Sequence, residues 1–513
     1  MLFVVDISLS PIPTKHFQMH TEYKNGKMLF KTDYLTVDVT TMLSEENEKK
    51  VRATTAESYR ELGNEYYRKK EYKKAFLAYS DGLELDPIHI SLKFNKAMAA
   101  VAIEYYGTAM LELVSLCRID SVRQKALMRR VKLTYFMSNY DECSSYLGDM
   151  LDEFGTEMEF KDQHEKFTKM TRKRVFERNY GEFEYKSMFE KAKSNMILDY
   201  SPFNFNLKVD MDDVRGLGFF SRHEIPFGKM FLASKAHSIA CGDTVNTSEA
   251  VLAIEFYKKA QDCYFNQVFK KMYTEWSGRN PTLEMESVCN IVQSNAYQLG
   301  DLYPGYCGIF KNASYINHSC MPNSQNFFIG NFMFVLSTRN IRPDRELTLS
   351  YIDVGLPPKD RKKILEDRFH FTCDCELCLF DEMCMRKSPH FKYILENYAT
   401  LCKQAQLELE DWEKLRSFLK FLKDRKSDSA AFRRGVLLYS FCSHFDDLEG
   451  TVVEMLECFR PSESRFISGK YYEKSLAILM FNPKYAKMLD SYIRQFYFEG
   501  YPLKDLLFQT KNK

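Results

Sequence analysis

The chain has 513 residues, enough for several independent cores, and 72 basic side chains against 70 acidic ones leave a formal charge of only +2. Near-neutrality offers no bulk electrostatic footprint, so direct nucleic-acid binding is not expected and any charge-driven partner must be met locally. The opening run Met1-Leu2-Phe3-Val4-Val5-Asp6 is too short and lacks the basic start of a signal peptide. No window approaches the roughly 18 uncharged apolar residues of a membrane span, so a soluble protein with no membrane partner is expected. Fourteen cysteines, mostly scattered singly, read as reduced thiols of a cytoplasmic or nuclear protein rather than as a disulfide framework.

Residues 1–50 mix short apolar runs with Pro11, Pro13 and a charged tail, and define no domain. From Ala56 to Pro87, the residues Tyr59, Leu62, Gly63, Tyr66, Ala75, Tyr79 and Gly82 fall at helical spacing broken once near Glu71-Tyr72. That is one tetratricopeptide-like helix pair. A second unit runs from Ile90 to about Ser121, and a third starts near Gln124, with Tyr140-Asp141-Glu142-Cys143 where the first has Tyr72-Lys73-Lys74-Ala75. Three stacked pairs over 51–155 reach the minimum for a solenoid that buries its own faces. Arg60, Asn64, Asn95, Lys125 and Arg129 fall on the inner helices, three cations and two amides suited to an anion through charge-assisted bonds. With Arg60 in place of the usual lysine, these positions resemble the clamp by which chaperone-binding tetratricopeptide domains hold a terminal carboxylate. The resemblance implies a chaperone or another protein with an acidic C-terminus as partner; the competing reading is a solvated helix face. Residues 156–200 read as a linker helix. Its run Lys169, Arg172, Lys173 and Arg174 reads as a solvated face, with a nuclear address as the alternative.

At Arg215-Gly216-Leu217-Gly218-Phe219-Phe220 the composition turns to strand and turn, and two glycines at this spacing let a backbone turn approach a ligand closely. A helical pattern returns from Ser248 to Trp276, an insertion at about 241–290 between two halves of a β-rich core. Then come Asn317-His318-Ser319-Cys320, the strand-like run Arg345-Glu346-Leu347-Thr348-Leu349-Ser350-Tyr351, and Cys373-Asp374-Cys375-Glu376-Leu377-Cys378. One lone cysteine followed by C-x-C-x-x-C can close a tetrahedral zinc site at Cys320, Cys373, Cys375 and Cys378, with no position left open for water. Cys384 is expected to be free. From Phe391 to Phe508 the pattern is helical throughout, with stripes Tyr393, Leu395, Tyr398, Leu401 and Leu415, Phe418, Leu419, Leu422, followed by Val436, Leu437, Tyr439, Phe441 and by Tyr471, Leu476, Met480.

The order and spacing of these motifs resemble the SET-domain protein-lysine methyltransferases, and most closely the SET and MYND family in its type with tetratricopeptide repeats ahead of the catalytic core. The resemblance implies an α+β multidomain protein: helical tetratricopeptide-like repeats (51–155), a linker helix (156–200), a β-rich SET core with a pseudoknot (201–372), a zinc-binding post-SET segment (373–386) and an all-helical C-terminal domain (387–513). It implies S-adenosylmethionine held by Gly216, Leu217, Gly218, Asn295, Asn317 and His318, covered by Phe371, with Tyr351 as catalytic tyrosine and one structural zinc. A protein carrying a target lysine, histone or non-histone, would be the substrate. Relatives carry further zinc sites in a MYND module, built from C-x-x-C pairs; the isolated Cys241, Cys263 and Cys289 predict that this finger is missing here. The competing reading is a catalytically weak or inactive SET-fold adaptor that binds chaperones or other proteins through its repeats.

Overall fold

A computed structural model describes residues 54–434, apart from 213–215, 227, 244, 263–284, 301, 402–407, 426–427, 429 and 432–433, together with three strands between residues 20 and 38. Those strands, β1 (His20–Lys24), β2 (Lys27–Lys31) and β3 (Thr36–Asp38), form an antiparallel meander in the segment that carried no domain assignment. Arg215, Cys263, Trp276 and the helical stripes from Val436 to Met480 lie outside the described residues.

Six helices follow as three consecutive pairs: α1 (Ala56–Arg68) with α2 (Tyr72–Leu85), α3 (Ile90–Ala102) with α4 (Tyr106–Leu116), and α5 (Asp120–Phe136) with α6 (Tyr140–Phe154). The first begins where Thr55 and Ser58 cap each other, the Ser58 amide donating to Thr55 Oγ1 at 3.1 Å and the Thr55 amide to Ser58 Oγ at 3.0 Å. Small residues set the closeness of each pair. A Cβ on Gly63 would collide with the ring of Tyr79, and Ala75, Ala78, Ala97 and Ala100 are all buried. Helix α7 (Lys161–Tyr180) packs on α6 and α5 as a seventh layer element, followed by α8 (Tyr185–Ala192).

On α7, Lys169, Arg172 and Lys173 are exposed as the solvated face requires, and Arg174 alone departs from it. Arg174 is 5% exposed and pairs with Glu177, 3% exposed, at 3.1 Å; it also donates to the Asp199 carbonyl, while the Ser201 amide donates to Glu177 Oε2 at 3.0 Å. A buried pair of this kind docks the helix onto the chain that enters the β region; a run of like charges in the sequence hides such alternation because burial depends on what packs against each turn.

The β region holds a four-stranded antiparallel sheet in the order β12 (Ser324–Ile329), β13 (Phe332–Ser337), β7 (Met230–Lys235), β4 (Phe203–Asn204). Strand β13 is buried along its whole length and its side chains alternate between two cores. Met333 and Val335 join Phe231, Tyr315, Leu347 and Leu349 on one face; Phe332, Phe334 and Leu336 join Met188 and Ala192 of α8 on the other. Each such apolar side chain contributes about 1.5–3 kcal/mol on burial, so the sheet is the platform that holds the segments above it. A second sheet, β8 (Ser238–Cys241), β10 (Tyr306–Ile309), β9 (Ala296–Gln298), carries two helices, α9 (Val245–Ala260) and α10 (Met285–Asn295). Asp262, just beyond α9, caps the start of α4: its carboxylate accepts from the Gly107 and Thr108 amides at 2.9 and 3.1 Å. Lys259 pairs with Glu104 at 2.6 Å beside it, so the helix pairs and the β region meet through specific polar bonds.

The glycine stretch is a strand rather than a turn. β6 (Gly216–Phe220) pairs antiparallel with β5 (Lys208–Asp212), from Lys208↔Phe220 to Asp212↔Gly216, because Leu217, Phe219 and Phe220 supply the alternation that two glycines obscure in the sequence. The run ending at Tyr351 is likewise shorter than its alternation suggests: only Thr348–Leu349 (β14) is strand, and Tyr351 stands in the bend beyond it. Helices α11 (Pro358–Phe369), α12 (Glu376–Lys387), α13 (Pro389–Leu401) and α14 (Leu409–Lys423) complete the described chain. None of the described helices is long and apolar enough to cross a membrane.

Candidate active site and metal centre

The site is made by one short parallel pairing. β11 (Asn317–His318) lies beside β14 with Asn317 opposite Thr348 and His318 opposite Leu349. Parallel neighbours cannot be joined by a hairpin, so β12 and β13 intervene before the chain returns. Main-chain and side-chain bonds lock the register: the Ser319 amide donates to the Leu349 carbonyl at 2.9 Å, and the Tyr351 amide donates to His318 Nδ1 at 3.0 Å. That last bond leaves His318 Nδ1 an acceptor. Asn323, 5% exposed, bridges the return: its Nδ2 donates to the Glu346 carbonyl at 2.7 Å and its Oδ1 accepts from the Thr348 amide at 2.8 Å.

Around this pairing the structure gathers most of the residues singled out in the sequence. Asn317 Nδ2 donates to Glu346 Oε1 at 2.7 Å and to the Leu217 carbonyl at 3.4 Å, tying the pairing to the glycine strand. Gly218 permits this approach, since a Cβ there would stand 2.8 Å from Glu346 Oε1 and 2.9 Å from Asn317 Nδ2. Gly216, at φ 77°, takes a backbone conformation that favours glycine, and no described atom lies within 4 Å of its would-be Cβ. A neutral amide, main-chain groups and a glycine edge fit a small zwitterionic nucleoside-bearing cofactor. At the end of α10, the Asn295 Nδ2 donates to the Ile291 carbonyl of its own helix at 2.9 Å.

Tyr351 is half-buried and its hydroxyl donates to the Ile316 carbonyl at 2.7 Å. Burial, then Tyr297 and Glu346, hold its phenol well above the ordinary range, so it is a neutral hydrogen-bond donor at physiological pH. Its ring lies 5.3 Å from that of His318 and 5.0 Å from that of Phe369. Helix α11 ends at Phe369 because His370 takes a left-handed conformation, φ 60°, and the turn brings Phe371 to 5.8 Å from the His318 ring. Phe371 and Tyr351 thus both place their rings against His318. Asn323, Glu346, Tyr297 and Phe369 were not read as site residues from the sequence. Glu346 and Asn323 lie within the quoted motifs or three residues from Cys320, but nothing in residue type or spacing separates them from ordinary strand and turn positions.

The cysteine motif closes as expected. The sulfurs of Cys320, Cys373, Cys375 and Cys378 all lie within 4.8 Å of one another, with Cys378 Sγ 3.6 Å from Cys320 Sγ. Zinc–sulfur bonds of about 2.3 Å at tetrahedral angles put sulfurs roughly 3.8 Å apart, so the donor set fits that ion. Cys375 stands at the N-cap of α12 and Cys378 in its first turn, where the helix end favours thiolates. Hydrogen bonds among the four sulfurs divide the thiols, holding Cys373 and Cys375 below the ordinary range and Cys320 and Cys378 above it. Among the described residues this is the only group of at least three metal-type side chains so placed. Cys384 is buried and free, its thiol pushed up to about 12 by burial.

The five positions that resemble an anion clamp are in part engaged with one another. Arg60 Nε donates to Glu57 at 2.9 Å, Asn64 Oδ1 accepts from Asn95 Nδ2 and from the Tyr79 hydroxyl at 2.9 Å each, and Lys125 Nζ lies 4.8 Å from the centre of the Phe94 ring. Arg129 and Lys132 share α5, and the nearby charge of Arg129 adds to burial in lowering the Lys132 ammonium.

The site is thus a parallel two-residue pairing that joins His318 to Tyr351, with a group of four cysteines that includes Cys320. The model of the SET domain family matches residues 100–352, beginning within α3. Among similar proteins are a methyltransferase of Gibberella zeae, 22% identical over 68% of this chain and 54% of the relative, and N-lysine methyltransferase SMYD2 of Gallus gallus, 36% identical over 18% of this chain and 21% of the relative. The SET domain and MYND-type zinc finger protein 6 of Schizosaccharomyces pombe is 34% identical over 19% of this chain and 20% of its own length. The chain therefore spans about half of the first relative (54%) and about a fifth of the second (21%). It carries a SET domain and is related to the protein-lysine methyltransferases of the SET and MYND type.

Proposed function

We propose that the protein is an S-adenosylmethionine-dependent protein-lysine N-methyltransferase acting on a histone or non-histone protein. The observation that carries this reading is the bond from the Tyr351 amide to His318 Nδ1, which fixes the tyrosine beside the Asn317-His318 segment and the glycine strand. When bound, S-adenosylmethionine supplies an activated methyl group on a sulfonium. Gly216, Leu217, Gly218, Asn317 and His318 would hold it, with Asn295 reaching it from the end of α10 and Phe371 covering it. Tyr351, kept neutral by burial, orients the lysine amine together with the main-chain carbonyls at its side and favours the partly positive methyl as it transfers. An in-line displacement needs alignment and exclusion of water rather than a covalent intermediate, and the ring cluster of Tyr351, Phe369, Phe371 and His318 supplies both. Zinc at the four cysteines would be structural, fastening the Phe371 segment onto the paired strands.

Purified protein given labelled S-adenosylmethionine and cell extract should label lysines, and Tyr351→Phe should abolish or redirect the label. Cofactor binding without label in any protein pool would refute the enzyme reading and favour the adaptor. For the repeats, we read the three helix pairs as tetratricopeptide units that take a protein with an acidic C-terminus, with Lys125 and Arg129 meeting the carboxylate. Loss of binding of such a peptide in the Lys125→Ala, Arg129→Ala double variant tests this; unchanged affinity refutes it. Residence in the cytoplasm or nucleus is part of the same proposal, in keeping with thiols that stay free.

A further inference from the structure

Beneath the four cysteines lies a sealed set of charges that the methyl-transfer reading does not use. Arg361 of α11 is 1% exposed and reaches three segments at once. Its Nη1 donates to the carbonyls of Val354 at 3.4 Å and Leu356 at 3.3 Å; its Nη2 donates to Asp381 Oδ2 at 2.7 Å and lies 3.7 Å from Cys378 Sγ. Asp381, fully buried on α12, also accepts from Arg434, Nε to Oδ1 at 2.7 Å. Two guanidinium groups therefore share one carboxylate, and all three side chains are at most 1% exposed. Among the described residues these three side chains leave one positive charge in excess, and an uncompensated charge in such a place is strongly unfavourable. The anion that Arg361 touches besides Asp381 is the cysteine cluster. Four thiolates around a divalent ion carry a net charge of minus two, which offsets the excess and leaves minus one over the whole set; four neutral thiols offset nothing.

We propose that Arg361 is the charge partner of the metal-bound Cys378 thiolate, a positioning residue that makes the Arg361–Asp381–Arg434 set complementary to a divalent metal tetrathiolate and joins it to the chain leaving Tyr351. The same guanidinium holds the Val354 and Leu356 carbonyls, so loading of the metal is felt three residues from the tyrosine. Groups of this kind around a metal site alter affinity about 10–100-fold when removed. The proposal rests on the metal reading of the four cysteines and is independent of methyl transfer.

The test uses the full-length protein. Zinc content is measured first, then zinc release to excess chelator for the parent and Arg361→Met, and the sulfur-to-cobalt charge-transfer band after exchange with cobalt(II) for the parent, Arg361→Lys and Lys362→Met. Arg361→Met should release zinc at least about tenfold faster. The cobalt band should move in Arg361→Lys, whose ammonium cannot bond Asp381, the two carbonyls and Cys378 at once, and stay in place in Lys362→Met, which removes an exposed cation from the same helix. Parental release in Arg361→Met overturns the proposal. If that variant does not fold, an unmoved cobalt band in Arg361→Lys overturns it instead, as does an equal shift in Lys362→Met, which would assign the effect to the charge of the helix in general. A parent that holds no zinc overturns the metal reading together with the proposal.

Discussion

Replacing Asn323 with alanine should loosen the pairing on which the whole site depends. The side chain is 5% exposed and satisfies the Thr348 amide and the Glu346 carbonyl at 2.8 and 2.7 Å. Alanine leaves both groups buried without partners, at about 1–3 kcal/mol each, so the loss should be about 2–6 kcal/mol. Because β14 is two residues long, few ladder bonds remain to share the cost, among them that from the Ser319 amide to the Leu349 carbonyl. Urea unfolding followed by tyrosine fluorescence and circular dichroism should show the first transition at lower denaturant, and the labelled-methyl assay should lose rate even where the protein stays folded. Asn323→Asp, which keeps the acceptor and removes the donor to Glu346, should also destabilise. A shift of less than about 1 kcal/mol for alanine would refute the idea that Asn323 is the clasp of the parallel pairing.

Further outcomes follow from the same geometry. Tyr351→Phe removes the hydroxyl bonded to the Ile316 carbonyl, and methyl transfer should fall by about 100-fold or more with little change in cofactor affinity, read by calorimetry beside the rate assay. Gly218→Ala drives a Cβ against Asn317 and Glu346; overpacking of about 1–3 kcal/mol should weaken cofactor binding at least tenfold, and parental affinity would show that the strand does not touch the cofactor. Metal analysis should find one zinc per chain, and Cys375→Ser should lower that content and the thermal midpoint together. His237, partly buried with its ring 5.2 Å from that of Phe256, is held down to about 3 by burial and then by Lys259 and Lys311. Below an unfolded value near 6.5 the unfolded chain takes the proton and the folded one does not, so stability should fall as pH drops from about 6.5 towards 3. The slope contributed is about 1.4 kcal/mol per pH unit, and its persistence in His237→Gln between pH 6.5 and 5 would refute the assignment.

Local signals read well where residue type and spacing alone impose the structure. Gly63, Ala75 and Ala97 announced close helix pairs because only small residues allow that approach, and C-x-C-x-x-C with one distant cysteine announced a four-sulfur cluster because few other arrangements use thiols so densely. Reading failed where burial depends on a remote neighbour. Arg174 looked like one more exposed cation and is an internal ion pair; the glycine stretch looked like a turn and is a strand whose partner supplies its order.

The amino-acid order by itself determined the helix pairs, the strand-rich middle and the set of side chains that could bind a methyl donor and a metal, since periodicity and ligand chemistry are properties of short stretches. Tertiary structure decided which of them meet. Asn317 and Glu346 are joined by a parallel pairing that no local rule specifies, because its register is set by the β12–β13 hairpin and the core beneath. It decided too that two arginines share one aspartate under the cysteines: sequence counts charges, whereas only packing removes the water that would otherwise screen them.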